Sequence, residues 1–179
     1  MKKQIAIAAL TIGAFVLGTN TIQAQNTTAT TTVNITLNDV ISIDAGSTAI
    51  SGAVAFNYAT AADYNSEKTV AQANALKVTS TKNFNVKVKS EGANFVSGAN
   101  VIPVDVLQVK AIAGGSLTGT LNEVTLSTND QVLVSNASLG AKQSLNIAYS
   151  ISAEKASKVL LGKPKGTYMQ KIIYTATAL

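Results

Sequence analysis

The residues with the clearest potential for chemistry form the tetrapeptide Ser152-Ala-Glu-Lys155. This spacing matches the S-x-x-K pattern of serine acyl enzymes, in which a nearby lysine activates the hydroxyl group. Those enzymes also need a K-T-G segment, and this chain offers only the different order Lys165-Gly166-Thr167. A chain of 179 residues is also far smaller than the domain that carries the motif. We therefore interpret the tetrapeptide as a chance occurrence in a chain rich in serine and lysine.

A second candidate is the polar segment that begins at Asp63. Asp63, Asn65 and Glu67 have the spacing that opens a calcium-binding loop. The glycine expected at the sixth position is Lys68, and the glutamate expected at the twelfth is Asn74. The segment is therefore predicted to be an Asx turn that caps a short helix rather than a metal site.

Composition removes most other kinds of catalytic or metal site. Histidine, cysteine and tryptophan are absent, and all 14 basic residues are lysines. Zinc sites built on His or Cys, disulfides, thiol nucleophiles and Ser-His-Asp triads are therefore excluded, as are the arginine forks that bind phosphate. The sequence predicts a non-enzymatic protein with no catalytic residue, no metal site and no cofactor, and no nucleic-acid partner.

Two groups of side chains are candidates for binding a polysaccharide or another polymer. Phe56, Tyr58 and Tyr64 are close in the chain and would form a stacking platform, although the alternation around Phe56 and Tyr58 favours a core-facing strand. The C-terminal third is basic, which suits anionic polymers but is equally typical of a lysine-rich solvated face that protects sheet edges. Its lysines, accompanied by Glu154 alone, are Lys142, Lys155, Lys158, Lys163, Lys165 and Lys171.

The elements that would position these residues are strands. Apolar and polar residues alternate with a period of two through most of the chain, which predicts β-strands. Gly114-Gly115 and Asn129-Asp130 are each predicted to form a hairpin turn, and residues 64–75 and 152–160 are the two stretches with helical potential. The pattern predicts an all-β fold, an antiparallel immunoglobulin-like β-sandwich of about eight strands with one or two short helical turns. The clearest alternating runs are residues 33–37, 54–58, 84–88, 145–151 and 168–179.

The first 24 residues have the order of a secretory signal peptide. Met1-Lys2-Lys3 is basic, residues 5–17 are apolar, and a more polar stretch leads to Ala24. The apolar run is shorter than the roughly 20 residues that span a bilayer as a helix. We therefore expect cleavage after Ala24, a mature chain without a transmembrane span, and a location in the periplasm, at the cell surface or outside the cell. Residues 25–32 are then a threonine-rich leader, and residues 33–179 a single β-sandwich domain.

The end of the chain carries a pattern with a known counterpart. Gly166 is the fourteenth residue counted from the C-terminus, and Thr167, Tyr168 and an alternating run follow it. This arrangement resembles the C-terminal motif of chaperone–usher pilins and of the related spore-coat-U-type secreted domains. The order G-T-Y-x-x-x-I-x-Y is also similar to the last strand of WxL-type surface domains.

The resemblance implies an immunoglobulin-like sandwich that assembles by β-strand addition. In pilins the leader, here residues 25–37, is a donor strand that completes the neighbouring subunit. An alternative is that this strand folds back into its own sheet and the protein is a monomer. The candidate residues for strand exchange and assembly are Val33, Ile35, Leu37, Gly166, Tyr168, Ile172 and Tyr174.

Two hypotheses for function follow. The first is an exported, non-enzymatic subunit of a surface structure, or an adhesin-like module, whose partners are copies of itself or other surface subunits. The second is a monomeric envelope module that binds cell-wall or surface polysaccharide.

Overall fold

A computed structural model of the chain describes residues 28–179, so the predicted signal peptide and residues 25–27 of the leader lie outside the described residues. Strands account for 45% and helices for 10% of the structure. Every strand pairing within residues 28–179 is antiparallel. The predicted all-β antiparallel sandwich is therefore confirmed.

The described residues contain eleven strands, where the sequence predicts about eight. The additional ones are short strands that carry too few residues for an alternating pattern to be recognised. The strands are β1 (Ile41–Ile43), β2 (Lys68–Ser80), β3 (Phe84–Ser90), β4 (Asn94–Ser97), β5 (Asn100–Pro103), β6 (Gln108–Ile112), β7 (Thr120–Leu121), β8 (Glu123–Thr125), β9 (Gln131–Ala137), β10 (Gly140–Ile151) and β11 (Ile172–Ala178).

Two main sheets contain nine of these strands. The first has the order β1-β2-β10-β6-β8 and the second the order β11-β3-β9-β7, while β4 and β5 form a small hairpin of their own. The chain passes repeatedly from one main sheet to the other, for example between β2 and β3, between β9 and β10, and between β10 and β11. The inward faces of the two sheets consequently share one core, which is the arrangement of a sandwich.

The core consists mainly of alternate residues from the long strands, as the period-two pattern predicts. All the inward-facing side chains of β3 and of the second half of β10 are buried, and burial of each is worth roughly 1.5–3 kcal/mol. Between them in β3, Lys89 projects to the surface and forms an ion pair of 3.1 Å with Asp130. The buried apolar residues of these two strands are Phe84, Val86, Val88, Leu145, Ile147, Tyr149 and Ile151.

The two helical predictions have different outcomes. Residues 152–160 are confirmed, since Ala153–Lys155 is helical and Ala156–Leu160 continues as a π-helical turn. The helix predicted over residues 64–75 is wrong, because the ladder between β2 and β10 overrides the helix propensity of its Ala, Gln and Lys residues. The helix next to it is a single turn, Ala61–Tyr64. A 3-10 turn at Val104–Val106 completes the described helical elements.

Both predicted hairpin turns are wrong for one reason: each joins strands of different sheets. Gly114-Gly115 lies between β6 of the first sheet and β7 of the second, and Asn129-Asp130 lies between β8 and β9, which are divided in the same way. Gly115 is nevertheless required, because a Cβ atom there would overlap the carbonyl oxygen of Ser144. Glycine at this position therefore permits close packing of two backbones rather than a tight turn.

Two alternating runs that the sequence predicts to be strands are not strands. Residues 33–37 have no regular structure, and neither do residues 54–58. The second run nevertheless keeps its predicted alternation, with Val54, Phe56 and Tyr58 half-buried against the core. A strand requires a ladder as well as an alternating pattern, and within residues 28–179 neither run has one.

The described chain divides after Leu37. Residues Asn38–Leu179 form one compact unit, and residues 28–37 belong to a separate unit. Within these residues no helix is long and apolar enough to cross a membrane.

Lys142 in β10 provides a test of the backbone geometry. Its φ is 51°, a left-handed conformation that costs a non-glycine residue about 1–2 kcal/mol. The change Lys142→Gly should raise the free energy of unfolding by about 0.5 kcal/mol in urea titrations, because relief of strain exceeds the entropy cost of glycine, roughly 0.5–1 kcal/mol. The matched control Lys87→Gly, in the extended strand β3, should lower it by a similar amount. Equal losses for both variants would contradict the assignment of strain at Lys142.

Candidate functional site

The strand β11 ends the second sheet and pairs on one side only, with β3. Hydrogen bonds at both ends define the pairing: Glu91 N–H donates to Lys171 O at 3.0 Å, and Leu179 N–H donates to Asn83 O at 2.8 Å. Bonds to a neighbouring strand alternate along an antiparallel pair. The odd-numbered residues of β11 are therefore bonded to β3, and the even-numbered residues direct their N–H and C=O groups toward the open edge.

These outward backbone groups are the candidate site. They belong to Ile172, Tyr174, Ala176 and Ala178, and none of the four forms a backbone hydrogen bond across this edge in the part of the chain that the structure describes. The edge strands β1, β7 and β8 contain three, two and three residues, whereas β11 contains seven. A long strand edge with unpaired backbone is a template for an additional strand.

The side chains of three of these four residues face the core margin. Ile172, Tyr174 and Ala176 are half-buried and pack against the core, whereas Ile173 and Thr175 between them are exposed. Side chains and backbone groups alternate together along a strand. An incoming strand would therefore meet unpaired backbone and apolar side chains at the same place.

The strand β1 lies across the open edge from β11, although the two belong to different sheets. Its residues Ile41 and Ile43 are half-buried against the same core. A recess of about 110 Å³ lies at one end of this margin, beside the C-terminal end of β11. The recess is lined by Asp39, Val40, Ile41, Thr81, Lys82 and Ala178.

A pair of tyrosines connects β11 to the first sheet. The hydroxyl oxygens of Tyr149 in β10 and Tyr174 in β11 are 2.6 Å apart, and the Tyr149 hydroxyl donates to Gln72 Oε1 at 3.4 Å. With Tyr149 donating to Gln72, Tyr174 is the donor to Tyr149. The bonds thus run from the second sheet to the first and hold the edge strand against the core.

Burial raises the pKa of both hydroxyl groups. For Tyr174 the neighbouring Tyr149 raises the pKa further, whereas for Tyr149 the hydrogen bond with Tyr174 partly offsets the effect of burial. Sequence reasoning included Tyr174 but missed Tyr149 and Gln72. The available signal was a tyrosine in the buried register of an alternating run, since a buried phenol needs a hydrogen-bond partner.

Gly166 and Tyr168 do not lie on the edge strand. The prediction that the terminal strand begins at Tyr168 is wrong, because Met169 and Val96 of β4 exchange two backbone hydrogen bonds of 3.0 Å and draw this stretch to the small hairpin. The Tyr168 hydroxyl donates to Pro164 O at 2.9 Å within the same loop. The structure therefore brings Ile172 and Tyr174 together at the edge and places Gly166 and Tyr168 in the loop that precedes it.

The leader residues Val33, Ile35 and Leu37 are strongly exposed, with 75%, 80% and 88% of each residue accessible to solvent. The sequence predicts a strand here whose apolar face is buried. Without a neighbouring ladder the alternation produces no strand. The segment thus carries three aliphatic side chains that remain in water.

The motifs with potential for chemistry have structural roles. Ser152 caps the helix at Ala153–Lys155, since its Oγ accepts from Lys155 N–H at 3.2 Å, and Lys155 Nζ forms an ion pair of 2.8 Å with Asp105. The cap of the other helix is Thr60, and Asp63 is the third residue of that helix. Its carboxylate accepts from Thr60 N–H and completes a capping box, so Asp63 contributes to a cap but not through the predicted Asx turn. An ion pair with Lys68 and two backbone N–H donors hold the pKa of Asp63 well below its usual range.

The candidate polymer-binding groups are dispersed or packed. The rings of Tyr58 and Tyr64 are 5.2 Å apart but inclined by 42°, and Phe56 packs against the core, so the three do not form a flat stacking surface. Three of the six C-terminal lysines form ion pairs with carboxylates. These are Lys155 with Asp105, Lys158 with Glu154 and Lys171 with Glu91.

No protein-family model matches the chain, and no curated protein matches it. Among residues 28–179, no group of three or more acidic, histidine or cysteine side chains is placed to hold a metal ion.

Gly166 provides a test of the loop that precedes β11. A Cβ atom on Gly166 would lie 2.5 Å from Ser97 Oγ. The change Gly166→Ala should therefore lower the free energy of unfolding by about 0.5–1.5 kcal/mol, because Ser97 has to move its hydroxyl out of its present rotamer. The double variant Ser97→Ala/Gly166→Ala should recover most of the loss, because the clashing oxygen is removed. A loss that is the same with and without Ser97 Oγ would show that glycine is needed for another reason.

The tyrosine pair predicts a dependence of stability on alkaline pH. In the unfolded chain a tyrosine ionises near its ordinary pKa of 10.0, whereas in the folded protein Tyr149 and Tyr174 remain protonated above it. The stability contributed by the pair is therefore complete below pH 10 and decreases as the pH rises further. The variant Tyr149→Phe/Tyr174→Phe should lose about 1–2 kcal/mol at pH 7 and show a shallower decrease above pH 10 in urea titrations. An unchanged alkaline slope would contradict the assignment.

Proposed function

We propose that this protein is an exported, non-enzymatic subunit of a surface structure or an adhesin-like module that assembles by β-strand addition. The acceptor is the open edge of β11, and the donor is the leader of another copy. The observation that carries the proposal is the seven-residue edge strand. Four of its residues have backbone groups without a partner strand, and three of these four have side chains packed against the core.

Donor and acceptor correspond in length and in pattern. β11 contains seven residues, and a donor segment of residues 31–37 has the same length. The inward-facing residues Thr31, Val33, Ile35 and Leu37 match in number the four residues of the open edge. Burial of the three aliphatic side chains would contribute roughly 1.5–3 kcal/mol each, in addition to the ladder hydrogen bonds.

The register between the donor strand and β11 would be fixed by burial of the aliphatic side chains. A slip of one residue would place Thr32, Asn34 and Thr36 at the core margin and return the aliphatic side chains to water. The alternative, in which the leader is a strand of its own sheet, requires a strand at residues 33–37, and the described structure has none there. The exposure of Val33, Ile35 and Leu37 therefore supports an intermolecular role for the leader.

The donor is tested in the full mature chain, residues 25–179, by placing one negative charge on either face of the leader. Ile35→Asp should abolish assembly of the refolded protein in sedimentation velocity, because the buried charge would be unpaired. The matched control Asn34→Asp adds the same charge to the outward face and should assemble like the unmodified chain. A mature chain that stays monomeric at high concentration, or assembly unaffected by Ile35→Asp, would exclude the proposal.

The acceptor is tested with Ala176→Pro, which removes an N–H group that faces the open edge and leaves the bonds to β3 in place. This variant should also be monomeric by itself. Each variant retains the part that the other lacks, so an equimolar mixture of Ile35→Asp and Ala176→Pro should form a dimer and no larger species. Formation of long assemblies by the mixture would show that another surface is responsible.

A further inference from the structure

Residues 51–59, here named the strap, form an extended segment between β1 and the helix at Ala61–Tyr64. Val54, Phe56 and Tyr58 are half-buried and pack against the core, while Ala55 and Asn57 between them are exposed. The strap thus has the side-chain pattern of a β-strand but pairs with no other strand in the described chain.

The backbone of the strap is almost unbonded. For residues 51–58 the structure records one hydrogen bond to a backbone group, from Lys68 Nζ to the carbonyl oxygen of Asn57 at 2.5 Å. The ends are better held. Ser51 has a left-handed backbone with a φ of 59°, and the capping box of Thr60 and Asp63 follows the strap. The middle of the strap is therefore held by apolar contacts alone. A strand in the same place would also have a ladder of backbone hydrogen bonds.

The strap begins beside the groups that lead to the open edge. A Cβ atom on Gly52 would lie 3.7 Å from Gln72 Nε2, and Gln72 is bonded through Tyr149 to Tyr174 of β11. The first five residues of β2 pair with β10 on one side and, within the described chain, with no strand on the other. The strap therefore begins beside the unpaired side of β2, at the margin where hydrogen bonds from Gln72 through Tyr149 reach β11.

We propose that the strap covers the core margin between β2 and the open edge of β11, and that an incoming donor strand displaces it. This inference rests on the proposed function, because it assigns a gate to the same site. The strap offers three half-buried side chains, Val54, Phe56 and Tyr58, and no ladder. The donor offers three aliphatic side chains and a ladder, so it outcompetes the strap while the strap covers the core margin in the free subunit.

An internal competitor lowers the apparent affinity for the donor, because only the molecules in which the edge of β11 is uncovered can bind it. The buried hydroxyl group of Tyr58 agrees with a segment that is not optimally packed, since it has no hydrogen-bond partner among the described residues. Weakening the strap should therefore strengthen donor binding, although it removes apolar contacts from the free protein.

The affinity test uses a synthetic peptide of residues 30–38 and the mature chain carrying Ile35→Asp, which has a free acceptor. Adding Val54→Ser/Phe56→Ser should tighten peptide binding roughly tenfold in calorimetry, because the strap competes less well. The matched control Ala53→Ser/Ala55→Ser changes the exposed face and should leave the affinity unchanged. Weaker binding by Val54→Ser/Phe56→Ser than by this control would overturn the inference, because the strap would then be part of the wall that holds the donor.

Displacement is tested directly by thiol labelling, because the chain contains no other cysteine. In the Ile35→Asp background, Phe56→Cys should be labelled slowly in the free protein and faster, in a saturable manner, as the peptide is added. Val54→Cys is a second probe with a smaller loss of volume, and Ala55→Cys is the exposed control that should be labelled rapidly throughout. Peptide binding without faster labelling at positions 54 and 56 would overturn the strap inference alone. Absence of peptide binding in every variant would overturn the proposed function and the strap inference together.

Discussion

Backbone N–H and C=O groups point alternately to the two sides of a strand, and both sides need hydrogen-bond partners. In β11 one side is bonded to β3, while the groups of Ile172, Tyr174, Ala176 and Ala178 face an edge to which no strand of the described chain is hydrogen-bonded. Two other features lie at this margin. A recess opens beside β1 and the end of β11, and the strap packs Val54, Phe56 and Tyr58 against the core without a ladder of its own.

The sandwich therefore combines a continuous core with an edge strand that is paired on one side only. The core is continuous through β3 and β10, and the bonds from Tyr174 through Tyr149 to Gln72 tie the edge strand to the opposite sheet. With no cysteine in the chain, these non-covalent contacts hold the fold without a disulfide. The edge strand is thus anchored on its bonded side and by its side chains, so that its free side is presented in a defined geometry. A pre-organised edge reduces the entropy cost of adding a strand.

Prediction from the sequence was most reliable where burial alone decides the structure. The runs at residues 84–88 and 145–151 became buried strands because their alternation is long and their apolar face lies in the core. It was unreliable where the pairing between strands decides the structure. Residues 64–75 contain good helix formers but are mostly part of β2, and Gly114-Gly115 looks like a hairpin turn but joins two sheets. Of the candidate assembly residues, Ile172 and Tyr174 lie on the edge, whereas Gly166 and Tyr168 are drawn to β4.

The sequence by itself determined which functional groups are available, the all-β class and the face to which each side chain of a long strand points. Those properties are local: they follow from residue types and from the period of two along an extended backbone. Only the tertiary structure decided which alternating runs became strands and which edge stayed open. Residues 54–58 and 172–178 have similar patterns, yet one is an unbonded strap and the other is β11. The difference is a ladder with β3, whose residues are more than eighty positions away in the chain, and no local pattern specifies so distant a partner.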